Sequence, residues 1–90
     1  MKKSVEIIVT GKVQGVYYRH STRMKAAELS ICGTARNLPD GNVFIEAEGE
    51  EAILQKFIDW CKVGPTHASV TKIRVSEIET KGFIDFQIIG

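Results

Sequence analysis

The spacing of apolar residues switches along this chain between alternation and a helical period, and the order of the switches is the strongest constraint on its fold. Val5, Ile7 and Val9 alternate with Glu6 and Thr10, interrupted by Ile8, and predict a first strand ending near Gly11. Thr22, Ala26 and Leu29 then fall at i, i+4 and i+7, which predicts a helix reaching about Ser30 and capped by Ser21 or Thr22. Residues Gly33 to Leu38 read as a short second strand. The run "LPDGN" brings Pro, Asp and Gly in turn order and predicts a hairpin into "NVFIEAE". In that third strand Val43, Ile45 and Ala47 share one face, while Glu46 and Glu48 share the other. Glu50 and Glu51 suit the positive end of a second helix, which carries Ile53, Phe57 and Trp60 on one face and stops at Gly64-Pro65. "SVTKIRVSEIE" and "FIDFQII" supply the last strands. The order is βαββαβ with a short extra strand. That is the split βαβ, ferredoxin-like pattern: an α+β sandwich, an antiparallel sheet with two helices on one face.

This topology carries a functional expectation. Strands one and two, joined by a helical crossover, should run parallel. The loop "GKVQGVYYR" after strand one and the "ARNLP" end of strand two then share one rim of the sheet. Arg19 and Asn37 become candidate neighbours.

Ninety residues suit a single domain spanning 1–90 with one modest core. Twelve basic residues against eleven acidic leave a net charge of +1, spread along the chain apart from Lys2-Lys3 and Glu50-Glu51. That balance argues against broad, charge-driven nucleic-acid binding but leaves room for one local anion site. RNA-recognition domains share the element order but want stacking aromatics and basic groups on the central strands. The third strand offers Phe44 between Glu46 and Glu48 instead. No apolar run approaches the ~20 residues that span a bilayer. The start "MKKSVEIIVTG" is too polar for a secretory signal, so the expected location is the cytoplasm. Cys32 and Cys61 match no metal-ligand spacing and read as two reduced, structural thiols, with a disulfide left open.

The loop itself narrows the chemistry. Gly11 and Gly15 allow backbone angles at which successive N–H groups face one concavity. The loop runs into a helix N-terminus, where unpaired N–H groups favour an anion. Arg19 adds a planar, permanently charged fork. One phosphate-sized anion satisfies all three features; a plain turn with an exposed arginine is the alternative. The loop lacks both G-x-x-x-x-G-K-[ST] and G-x-G-x-x-G, so a nucleotide site of either kind is not expected.

"GKVQGVYYRHST", followed by "GTARNLPDGNVFIEAEG", resembles the acylphosphatase family. The pattern G-x-V-Q-G-V-x-[FY]-R-x-x-T matches at Gly11, Val13, Gln14, Gly15, Val16, Tyr18, Arg19 and Thr22, and R-N-L-P-D-G matches from Arg36 to Gly41. "AEG" at Ala47 to Gly49 and "GPTHASV" also fit. Ser30 stands where the family usually has glycine, and Thr34-Ala35 replaces an aromatic–aliphatic pair. The resemblance implies hydrolysis of the carboxyl–phosphate bond of a small acyl phosphate. Backbone N–H groups of Gln14, Gly15, Val16, Tyr17, Tyr18 and Arg19, with the Arg19 guanidinium, would bind the phosphoryl oxygens. The Asn37 amide would orient the attacking water. It implies no metal or cofactor. A monomer is the default expectation for so small a domain. Similar domains occur inside larger carbamoyl-transfer proteins, but a chain of this size is expected to stand alone.

The chemistry agrees with such a division of labour. A carboxylate leaving group has a conjugate-acid pKa near ~4 and departs without a general acid. Phosphoryl transfer then asks for positioning and charge stabilisation. The remaining candidates have plainer readings. His20 reads as solvent-facing rather than as a base, and His67 as surface. Tyr18 suits packing and loop anchoring, while Tyr17 is open between that and flanking an aromatic acyl group. Thr22 reads as a capping or packing residue, Asp40 as part of the turn, and Trp60 as core. Cys32 has no base nearby in sequence and reads as no nucleophile.

Overall fold

The structure, a computed structural model, describes residues 1–90. Alternation in β1 (Lys2–Lys12) buries Val5, Ile7 and Val9 against two helices, and β3 (Val43–Glu50) buries Val43, Ile45 and Ala47 beside them. Between these strands the chain forms α1 (Tyr18–Leu29) and β2 (Cys32–Asn37). After β3 come α2 (Glu51–Cys61), β4 (Ser69–Ile78) and β5 (Phe86–Ile88). The sheet order is β4-β1-β3-β2-β5. The two helices pack on each other and on the sheet, closing a core that takes in Leu54, Phe57 and Ile58 of α2.

The first four strands are antiparallel neighbours, as expected. The short fifth strand differs, because it pairs parallel with β2 and makes the sheet mixed. It is no hairpin partner of β4, which lies at the opposite edge of the sheet beside β1. It instead fills the free edge of β2, with Gly33 N–H donating to Asp85 O and Ile89 N–H donating to Ala35 O.

Helix α1 begins earlier than the hydroxyl residues suggested. Tyr17, in the left-handed region at φ 61°, precedes it, and no side chain caps it. Thr22 lies inside the helix, fully buried, with Oγ1 donating to Tyr18 O at 2.7 Å. The ring of Tyr18 sets this start. It is buried, 5.8 Å from the Trp60 ring, and its hydroxyl donates to Cys61 O at 2.7 Å. Burial pushes the Tyr18 phenol well above its ordinary range, and the Cys61 thiol up to about 12. Both cysteines are free. The buried stripe of α2 is Leu54, Phe57, Ile58 and Cys61, with Ile53 and Trp60 half-buried along its flanks. No helix is long and apolar enough to cross a membrane.

Glu48 departs from the pattern. It occupies the outer face, as alternation requires, yet it is 1% exposed. The connection between β4 and β5 lies against it, and its carboxylate accepts from Lys81 N–H at 2.7 Å and Phe83 N–H at 3.1 Å. Gly82 N–H and the Ser4 hydroxyl complete the shell, the latter at 2.5 Å. Lys81 also pairs with Glu46 through its ammonium. Burial alone would raise the Glu48 pKa, but hydrogen bonds from Ser4, Lys81, Gly82 and Phe83 prevail and hold it below the usual value. A carboxylate with a lowered folded pKa stabilises the fold above the unfolded value, and that contribution is lost as pH falls through the folded one. Urea unfolding from neutral pH into the carboxylate range should therefore show wild-type stability declining. Glu48→Gln should start less stable and decline less over the same interval.

Candidate active site

β1 and β2 each run antiparallel to β3, and β5 runs parallel to β2, so all three point the same way. Their C-terminal ends meet at one rim. The end of β1 delivers the loop from Val13 to Tyr17, the end of β2 delivers Asn37, and the end of β5 delivers Ile88. The expected pairing of Arg19 with Asn37 is met: both line one cleft of about 370 Å³. Its polar lining also includes Gly15 and His20, and its apolar lining is Val13, Tyr17, Tyr18 and Ile88.

The loop geometry follows from two positive φ angles, 75° at Gly15 and 61° at Tyr17. A Cβ at Gly15 would meet nothing within 4 Å, so the backbone angle, not space, calls for glycine there. Tyr17 has a side chain and holds the same region at a cost of about 1–2 kcal/mol. Left-handed residues interleaved with ordinary ones turn successive N–H groups toward one side. None of the N–H groups of Gln14, Gly15, Val16 and Tyr17 donates to a backbone carbonyl. Those of Tyr18 and Arg19, the first two residues of α1, have no acceptor within the helix.

The electrostatics point the same way. The first turn of α1 carries no acidic residue, whereas that of α2 carries Glu51. The positive end of the α1 dipole is therefore left uncompensated by its own side chains. No carboxylate lines the cleft, and neither Arg19 nor Asn37 is engaged by an ion pair or side-chain hydrogen bond within the chain. Arg19 is half-buried and Asn37 exposed.

Sequence reasoning missed two contributors. Ile88 reaches the cleft because β5 pairs parallel with β2, which no local pattern announces. The Gln14 side chain, considered earlier only for its backbone, donates from Nε2 to Leu38 O and to Asn42 O, each at 2.9 Å. The other candidates fall where the plainer readings put them. Asp40 accepts from Asn42 N–H at 3.0 Å within the turn, His67 is exposed, and Tyr18 is a buried anchor. No three His, Cys, Asp or Glu side chains converge. A wider depression of about 690 Å³ lies at the opposite end of β1, where Lys3 and Glu77 already pair at 3.6 Å.

Strand order and rim together define a ferredoxin-like domain with an unpaired-amide loop at its first strand–helix junction. The family model described as Acylphosphatase matches residues 5–88. The chain is 50% identical over 82 residues to an acylphosphatase of Marinobacter nauticus, covering 90% of this chain and 89% of that protein. The crystal structure of acylphosphatase from Bacillus subtilis matches with a TM-score of 0.95 at 38% identity over 100% of both chains. Full-length HypF, in its phosphate- and nucleotide-bound form, matches with a TM-score of 0.89 at 30% identity, over 100% of this chain and 12% of that one. The chain belongs to the acylphosphatase family, and it is an enzyme of that kind.

Proposed function

We propose that the cleft hydrolyses acyl phosphates, with the loop amides of Gln14 to Arg19 and the Arg19 guanidinium gripping the phosphoryl oxygens and Asn37 holding the attacking water. The observation that supports this best is the run of amides without acceptors beside an unpaired arginine. Water oxygen bonds to phosphorus, and the phosphorus–oxygen bond to the acyl group breaks. The electron pair leaves with the carboxylate, and the water's protons pass to phosphate and solvent. An amide is no strong base at neutral pH, but an activated anhydride with so good a leaving group needs water held in place more than it needs water deprotonated. Tyr17, which is exposed, and the half-buried Ile88 offer apolar surface to the acyl portion, with the buried Val13 and Tyr18 behind them. On this reading the enzyme works as a cytoplasmic monomer on a small molecule.

The test is phosphate release from benzoyl phosphate with EDTA present. Wild type should turn over, and Asn37→Ala should lose about 10²-fold in kcat. Because Asn37 is exposed and unpartnered, its variant should melt close to wild type. Folded wild type that binds phosphate and hydrolyses nothing would make this a binding domain instead.

A further inference from the structure

The hairpin turn after Asn37 closes on itself: Leu38 N–H donates to Asn42 O at 2.8 Å and Gly41 N–H to Leu38 O at 3.1 Å. Nothing in that closure fixes the turn relative to the loop from Val13 to Tyr17. The Gln14 side chain does so. Both acceptors are carbonyls, which determines the nitrogen end of the amide, and both Nε2 protons are used. Those carbonyls, Leu38 O and Asn42 O, flank the turn immediately beyond Asn37. We infer that Gln14 is a positioning residue that sets Asn37 against the phosphoryl loop by tethering this turn.

The inference rests on the hydrolytic reading and on the role given there to Asn37. Asn37 is the last residue of β2, paired in register with Val43, and its exposed side chain has no hydrogen-bond partner of its own. Its place relative to the loop is therefore inherited from its backbone, which the ladder ties to Val9 through Val43; beyond the ladder, the tie across the rim that reaches the turn is the Gln14 side chain. A displacement of about 1 Å in such a group costs on the order of 10²-fold in rate. Gln14 thus acts through Asn37 and touches no reacting atom by its side chain.

A double-mutant cycle tests this, using Gln14→Met, which keeps the volume and removes both donors, and Gln14→Glu, which sets acceptors against acceptors. Steady-state kinetics on benzoyl phosphate are measured for each, for Asn37→Ala and for the doubles, with folding checked by circular dichroism. Each Gln14 variant should lose about tenfold or more, in kcat rather than in KM. In the Asn37→Ala background the same substitutions should cost less than about twofold, since the group they misplace is gone. Losses that multiply in the double variants, or a loss confined to KM, would overturn the inference while leaving the hydrolytic reading intact. An inactive wild type would remove the reading and the inference together, whereas a fully active Asn37→Ala enzyme would remove the role given to Asn37 and the inference while hydrolysis itself stood.

Discussion

Arg19→Lys is expected to lower kcat/KM for benzoyl phosphate by about 10²-fold, and Arg19→Ala by about 10³-fold or more. Lysine keeps the charge but replaces a planar fork with a single point donor, so it cannot bind two phosphoryl oxygens at once. Melting temperature should hardly move in either variant, because Arg19 makes no ion pair or side-chain hydrogen bond in the fold. Competitive inhibition by inorganic phosphate should weaken alongside activity. A lysine variant within about threefold of wild type would mean that charge alone suffices and that the fork geometry has no part in the rate.

Gly33→Ala should produce the largest loss of stability, at least about 3 kcal/mol. A Cβ at Gly33 would lie 1.8 Å from Glu46 O and 2.8 Å from Glu46 C. Those are backbone atoms of the central strand β3, where Gly33 stands opposite Ala47, and they cannot retreat without breaking the β2–β3 ladder. Gly33 is also the residue opposite Phe86 in the parallel pair, so the strain reaches β5. For a domain of this size the melting temperature should fall by roughly 12–24 °C. Thermal unfolding followed by far-ultraviolet circular dichroism is the direct check, and a shift below ~4 °C would show that the ladder yields more easily than its geometry suggests.

What was legible in the sequence was whatever short-range periodicity or a contiguous motif carries. The alternation of Val5, Ile7 and Val9, the glycine loop and the turn at Asp40 all landed where the pattern put them. The start of α1 did not, because its determinant is not a hydroxyl cap. It is a tyrosine ring bound to the end of α2, 43 residues away. Glu48 was assigned the correct face and the wrong surroundings, since its cover arrives from a segment 33 to 35 residues later. The rim was half legible. Arg19 and Asn37 followed from the parallel sense of β1 and β2, whereas Ile88 depended on a three-residue pairing and Gln14 on a tertiary contact.

The pairing of β1 has a consequence for how the molecule is made. β1 leaves the ribosome before both of its neighbours, one of which spans Val43–Glu50 and the other Ser69–Ile78, with Ser4 set opposite Ile78. Contacts of such long sequence separation are slow to form, because the intervening chain must be gathered before they give any return. Until β4 has been synthesised, Ile7 and Val9 lack one of their two neighbouring strands, and so does the end of β1 from which the loop hangs. A nascent chain halted before Ser69 should therefore remain open to proteases and chaperones along its first strand. Shape and site are thus expected to arrive together, late in translation, and an interrupted chain to be an exposed one.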